Sequence, residues 1–147
     1  MPKERKYGTT RKFRRVFFLS LITFGIYYIL YNYWLFQDFE EHHEKAFKTE
    51  PRSYPLSNNP TTMLIFLFIF PFYPIYLKYT LLHNHIRTSN IYSPENCTIG
   101  VNAVLSFVLL GICTIGIAPL INERRWQTAF NEHILAHERE EQKLPER

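Results

Sequence analysis

The sequence predicts an all-α integral membrane protein of three hydrophobic helices with amphipathic helical extensions. Three observations carry this. First, apolar and charged residues are segregated into blocks. Residues 16–36, 53–77 and 99–121 contain no Asp, Glu, Lys or Arg, although the mean hydropathy of -0.19 is that of an ordinary soluble chain. Second, each block has the roughly 20 residues a helix needs to cross a hydrocarbon core of about 30 Å, without the strict alternation of a barrel strand. Third, aromatic residues crowd the block ends: Tyr27, Tyr28, Tyr31, Tyr33 and Trp34 close the first, and Trp126 follows the third. Rings with an apolar body and a polar tip favour the headgroup level.

Taken in order, residues 1–15 form a basic N-terminus in which Lys3, Arg5, Lys6, Arg11, Lys12, Arg14 and Arg15 face a single acid, Glu4. By the positive-inside rule this end is cytoplasmic, and its cations suit anionic lipid headgroups. The first span, 16–36, is too long and too bulky at its end for a cleaved signal peptide. A tail over 37–48 continues it, with Phe36, Phe39, His43, Ala46 and Phe47 near one face. Pro51 and Pro55 end that tail, and Asn58-Asn59-Pro60 marks a loop. The second span, 62–82, contains Pro71 and Pro74, which kink or open it, and Lys78 near its end is long enough to snorkel to the headgroups. After a polar loop over 83–98, the third span, 99–121, carries Gly111 and Gly116 and ends near Pro119. A charged helical tail follows over 122–142, then a C-terminal 143–147. The membrane domain is thus 16–142 within one domain-sized chain of 147 residues.

The chain also repeats itself. A shift of 91 residues pairs Thr23 with Thr114, Gly25 with Gly116, Ile26 with Ile117, Phe39 with Phe130, Glu41 with Glu132 and His42 with His133. The middle block joins at half that shift, pairing Tyr73, Ile75 and Tyr79 with Tyr27, Ile29 and Tyr33. Three full spans leave Arg124 and Arg125 on the side opposite the basic N-terminus. A competing arrangement turns one or more units back at the Thr-x-Gly or Pro-x-x-Pro positions and gathers more basic ends inside, at the cost of non-helical backbone at depth. Three spans are the expectation.

The run Leu19-Ser20-Leu21-Ile22-Thr23-Phe24-Gly25-Ile26-Tyr27-Tyr28-Ile29-Leu30-Tyr31 resembles the small prokaryotic membrane proteins grouped as domain of unknown function 4234. Their spans share an L-x-x-x-T-x-G-I-Y-x-x-Y-W-like signature, and here Tyr31 stands in place of the Trp. Thr114-Ile115-Gly116-Ile117-Ala118-Pro119 is similar, with Ala118 in place of the Tyr. The resemblance covers two of the three units and implies a multi-pass membrane protein, with no activity attached. Read physically, Thr23, Gly25, Pro71, Pro74, Gly111, Thr114 and Gly116 are helix packing or helix breaking positions. Gly admits a close neighbour, and a Thr hydroxyl bonds back to a carbonyl one turn earlier. A broken helix lining a ligand site is the alternative.

Catalysis is not expected, since no nucleophile motif, P-loop or dinucleotide fingerprint occurs. The blocks also lack the ionisable groups that ion-coupled pumps keep near the midplane. His133 and His137 stand at i, i+4, but Ile134 occupies the general-base position of H-E-x-x-H, and no further ligands are evident. Solvated helix histidines, with no metal and no cofactor, are the expectation. Cys97 and Cys113 read as free thiols, and Asn96-Cys97-Thr98 matches a glycosylation acceptor that requires a luminal loop. The functional expectation is a non-catalytic cell-membrane protein acting through helix–helix association. Its partners are the lipid bilayer and either itself or another membrane protein, with no nucleic acid. An oligomeric carrier or channel is the alternative.

Overall fold

The computed structural model describes residues 7–46, 59–91 and 97–143, and every element among them is helical. The described elements are α1 (Phe13–Ile22), α2 (Ile26–Ala46), α3 (Pro60–Ile69), α4 (Phe72–Thr88), α5 (Gly100–Leu105), α6 (Gly111–Cys113) and α7 (Ile117–Lys143), with a π-helical stretch, Ser106–Leu110, joining α5 to α6. The all-α expectation therefore holds. Among the described residues, however, no helix is long and apolar enough to cross a membrane, because each apolar block is broken in two.

The breaks at Thr-x-Gly are alike in the first and third blocks. Helix α1 ends in a Schellman motif: the Gly25 amide donates to the Ser20 carbonyl at 2.7 Å and the Phe24 amide to Leu21 at 3.2 Å. The Thr23 hydroxyl then serves both helices, donating to the Leu19 carbonyl of α1 at 2.7 Å and accepting from the Tyr27 amide of α2 at 2.9 Å. Ninety-one residues later the same bonds recur. Gly116 donates to Gly111 and Ile115 to Ile112, while Thr114 Oγ1 bridges the Leu110 carbonyl and the Ala118 amide. The sequence repeat is thus a repeat of backbone geometry. Phe24 and Ile115 sit at φ 49° and 50°, and the glycines that follow at 88° and 80°.

The middle block breaks by a different device. A residue before proline is pushed out of the helical region, and Phe70 accordingly has φ -147° and ψ 77°. Pro71 then caps α4 and Pro74 lies in its first turn, where a missing N–H leaves no helical bond unmade. Asn59-Pro60, expected in a loop, instead starts α3: the Asn59 side chain accepts from the Thr61 and Thr62 amides and Pro60 takes the first helical position.

The broken blocks double back. Arg11 is ion-paired to Asp38, although the two would lie about 40 Å apart on one continuous helix. Thr98 Oγ1 reaches Asn122 Oδ1 at 3.3 Å, against about 36 Å in a continuous helix. The expected tails are consequently core. The middle of α2, most of α4 and the middle of α7 bury Leu35, Phe36, Phe39, Leu81, Leu82, Trp126, Phe130 and Ile134 against one another. Trp126, expected at a headgroup interface, is 0% exposed and packs at a tilt against Phe130, with ring centres 5.1 Å apart.

Candidate functional site

The molecule has two chemically distinct ends. At the turn end, apolar side chains are exposed instead of packed: Phe24 is 98% exposed, Ile115 93% and Ile112 83%, joined by Ile22, Phe68 and Ile69. The first and third turns leave no amide unsatisfied. Every N–H from residue 23 to residue 29 has a backbone or Thr23 acceptor, as does every N–H from 114 to 118. Gly25 and Gly116 have nothing within 4 Å of where a Cβ would stand. Of the two expected roles, packing and breaking, they take the second, opening a turn at positive φ. Gly111 does pack, with Pro119 at ordinary contact distance. The closest helix approach belongs to Gly100, not singled out by its sequence context, where a Cβ would stand 2.1 Å from Thr80 Oγ1 and 2.4 Å from the Tyr76 carbonyl.

Between the hairpins lies an apolar cavity of about 770 Å³, lined by Phe17, Leu21, Phe107 and Ile112 toward the turns and by Lys78 and Glu123 at its inner end. Lys78 was expected to snorkel outward. It is instead 4% exposed and ion-paired to Glu123. Its ammonium lies 4.8 Å from the Trp126 ring centre, 5.6 Å from that of Tyr31 and 5.8 Å from that of Tyr79. The Tyr79 hydroxyl donates to Glu123 Oε2 at 3.3 Å, while the single Tyr31 hydroxyl proton faces Gln127 Oε1 at 2.5 Å and Glu123 Oε1 at 3.2 Å. Helix α7 is fixed to α4 at the same level by Trp126 Nε1, which donates to the Lys78 carbonyl at 3.0 Å. Opposite charges so enclosed neutralise each other, and the three rings around the ammonium add cation–π attraction.

The far end of the bundle is built from histidine. His42 of α2, His85 of α4 and His133 and His137 of α7 are buried, with ligand-capable ring atoms all within 4.8 Å of one another. This corrects the expectation of solvated histidines. The i, i+4 spacing put two rings on one face of α7, and the hairpins brought the two missing partners. The Nε2 atoms of His42 and His85 are 3.1 Å apart, and those of His133 and His137 3.2 Å apart. The N-terminal segment closes over them. The Tyr7 carbonyl meets His42 Nδ1 at 3.1 Å, and the Tyr7 ring stacks on His137 at 4.8 Å. Burial, reinforced by the neighbouring imidazoles, lowers His42 well below the usual histidine value, His85 to about 2 and His133 to about 3; burial alone lowers His137 to about 4. All four are neutral at pH 7, the form in which imidazole binds a metal.

The basic cluster divides. Arg11 is committed to Asp38, itself 0% exposed, while Lys12, Arg14 and Arg15 are exposed. Lys3, Arg5 and Lys6 lie outside the described residues, as do Pro51, Pro55 and Asn96. Both cysteines are free thiols, Cys97 buried and Cys113 exposed. No family model, curated protein or solved structure matches the chain.

Proposed function

We propose that the chain is a non-catalytic membrane protein that seats three apolar helical hairpins in one leaflet of the cell membrane and acts there by association, with itself or beside a larger membrane partner. The exposed Phe24 and Ile115 turns, with every amide paired, carry this reading. Apolar groups this exposed are stable in hydrocarbon, and backbone tolerates hydrocarbon only when its polar groups are satisfied internally. The ten residues of α1 reach about 15 Å, half of a hydrocarbon core of about 30 Å. The hairpin arrangement also removes a conflict in the charges. With each block doubled back, the N-terminus, the 83–98 loop and the C-terminal helix share one side. Exposed Lys12, Arg14, Arg15, Arg87, Arg124 and Arg125 then all obey the positive-inside rule.

Side-specific thiol labelling tests it. Single cysteines replacing Thr9, Thr88 and Glu141, on a Cys97→Ser/Cys113→Ser background, are expected to react with an impermeant maleimide from the same side of sealed vesicles. Three full spans require Glu141→Cys to react from the side opposite Thr9→Cys, and that result removes the hairpin reading. The cavity ending at Lys78 and Glu123 favours a second reading, a small carrier of amphiphiles. Native mass spectrometry of detergent-extracted protein separates the two, since a carrier retains a stoichiometric lipid.

A further inference from the structure

We infer that His42, His85, His133 and His137 form a metal centre for one divalent first-row transition ion, and that this ion staples the three hairpin units together. The inference goes beyond membrane insertion and is independent of it. His42 lies about 27 Å along α2 from the Phe24 turn, at the opposite end of the molecule.

Geometry carries it. An ion with four imidazole ligands at 2.0–2.1 Å sets its nitrogens about 3.3–3.4 Å apart when tetrahedral. The ring nitrogens here already pair at 3.1 and 3.2 Å, within a cluster no wider than 4.8 Å. Without an ion the arrangement is poorly satisfied. The Tyr7 carbonyl only accepts, so a neutral His42 carries its proton on Nδ1 and turns the Nε2 lone pair inward. A fold that buries four neutral imidazoles from three helices, with their nitrogens facing, incurs a desolvation cost that a shared cation offsets. The donor set also selects the ion. Four neutral nitrogens suit zinc, cobalt, nickel, copper or iron, whereas magnesium and calcium require oxygen. Four protein ligands close the coordination sphere, as in structural sites, and leave no position for substrate. Each hairpin unit supplies at least one ligand: α2 from the first, α4 from the second and α7 from the third.

The test uses the full chain without an affinity histidine tag, extracted in mild detergent, stripped with chelator and titrated with cobalt(II), then zinc(II). The expected result is one ion per chain, with the intense visible absorption of tetrahedral cobalt, displaced by zinc. Each of His42→Gln and His133→Gln should weaken zinc binding by at least about 100-fold, since even outer partners of a ligand cost 10–100-fold. His83→Gln should leave it unchanged, because that ring bonds to the Cys97 carbonyl at 2.9 Å outside the cluster. X-ray absorption of the zinc-loaded wild-type chain reads the ligand shell without any substitution: four imidazole nitrogens support the centre, and an oxygen-dominated or sulfur-containing shell overturns it. Absence of stoichiometric uptake, or uptake unchanged in His133→Gln, overturns it equally. Zinc should also raise the thermal midpoint of the wild-type chain by several degrees; binding with no such shift overturns the stapling role.

Discussion

At the scale of single residues, the Lys78–Glu123 pair sets the boundary between the apolar turn end and the packed end. Charges this deeply buried are weak evidence of net stabilisation, yet removing one partner strands the other. Lys78→Met or Glu123→Gln alone is therefore expected to cost about 3–5 kcal/mol. The double variant should cost less than the sum by about 1–3 kcal/mol. Gln at 123 retains one acceptor oxygen for Tyr79, and Tyr31 keeps Gln127 as its acceptor. Denaturant titration of the four proteins in detergent measures the coupling, and simple additivity removes the interdependence. The partnership was not legible in the sequence. Lys78 near the end of an apolar block matches the pattern of a snorkelling residue, and Glu123 stands 45 positions away, just past the third block. Only the doubling back of both units brings them together. The same holds for His85, whose partners stand on two other hairpins. His133 and His137 were visible as a pair because helical periodicity alone aligns them.

At the scale of elements, the Thr-x-Gly-Ile signature is a complete turn. The Thr bond to the preceding helix was readable from local chemistry, as was the 91-residue repeat. For Gly25 and Gly116 the sequence left packing and breaking open: a glycine in an apolar run fits both helix packing and positive φ, and only the backbone, here at φ 88° and 80°, distinguishes them. The residue before each glycine is the more informative one. A β-branched side chain in the left-handed region is a genuine outlier, with a cost of roughly 1–2 kcal/mol. Ile115 tolerates it at 93% exposure. Ile115→Gly is expected to raise stability in detergent by about 1 kcal/mol by relieving that strain. The same change should weaken partitioning into liposomes, because it removes an apolar tip. Denaturation and vesicle co-sedimentation measure the two effects. If stability and partitioning rise together, the side chain is not there to meet lipid.

At the scale of the whole molecule, exposed apolar turns stand at one end and a neutral histidine core at the other, and the core makes stability depend on pH. The sign follows from the direction of the shifts. Burial lowers His85 to about 2, His133 to about 3 and His137 to about 4, whereas an unfolded chain takes up these protons near pH 6.5. Above that value neither state binds them and stability is unaffected. Below it the unfolded state alone is protonated, so the metal-free fold weakens steadily as the pH falls toward the folded values. Each such histidine contributes up to about 1.4 kcal/mol per pH unit. His42 shifts in the same direction, so acid should loosen α2, α4 and α7 together, where the hairpin units meet. Thermal unfolding of the chelator-stripped chain, followed by circular dichroism at pH 7, 6 and 5, is expected to give a falling midpoint. The fall should be shallower in His133→Gln, which has one buried imidazole fewer. A midpoint flat across that range would mean that the four rings are hydrated in the folded chain, and the buried core on which the three units converge would have to be redrawn.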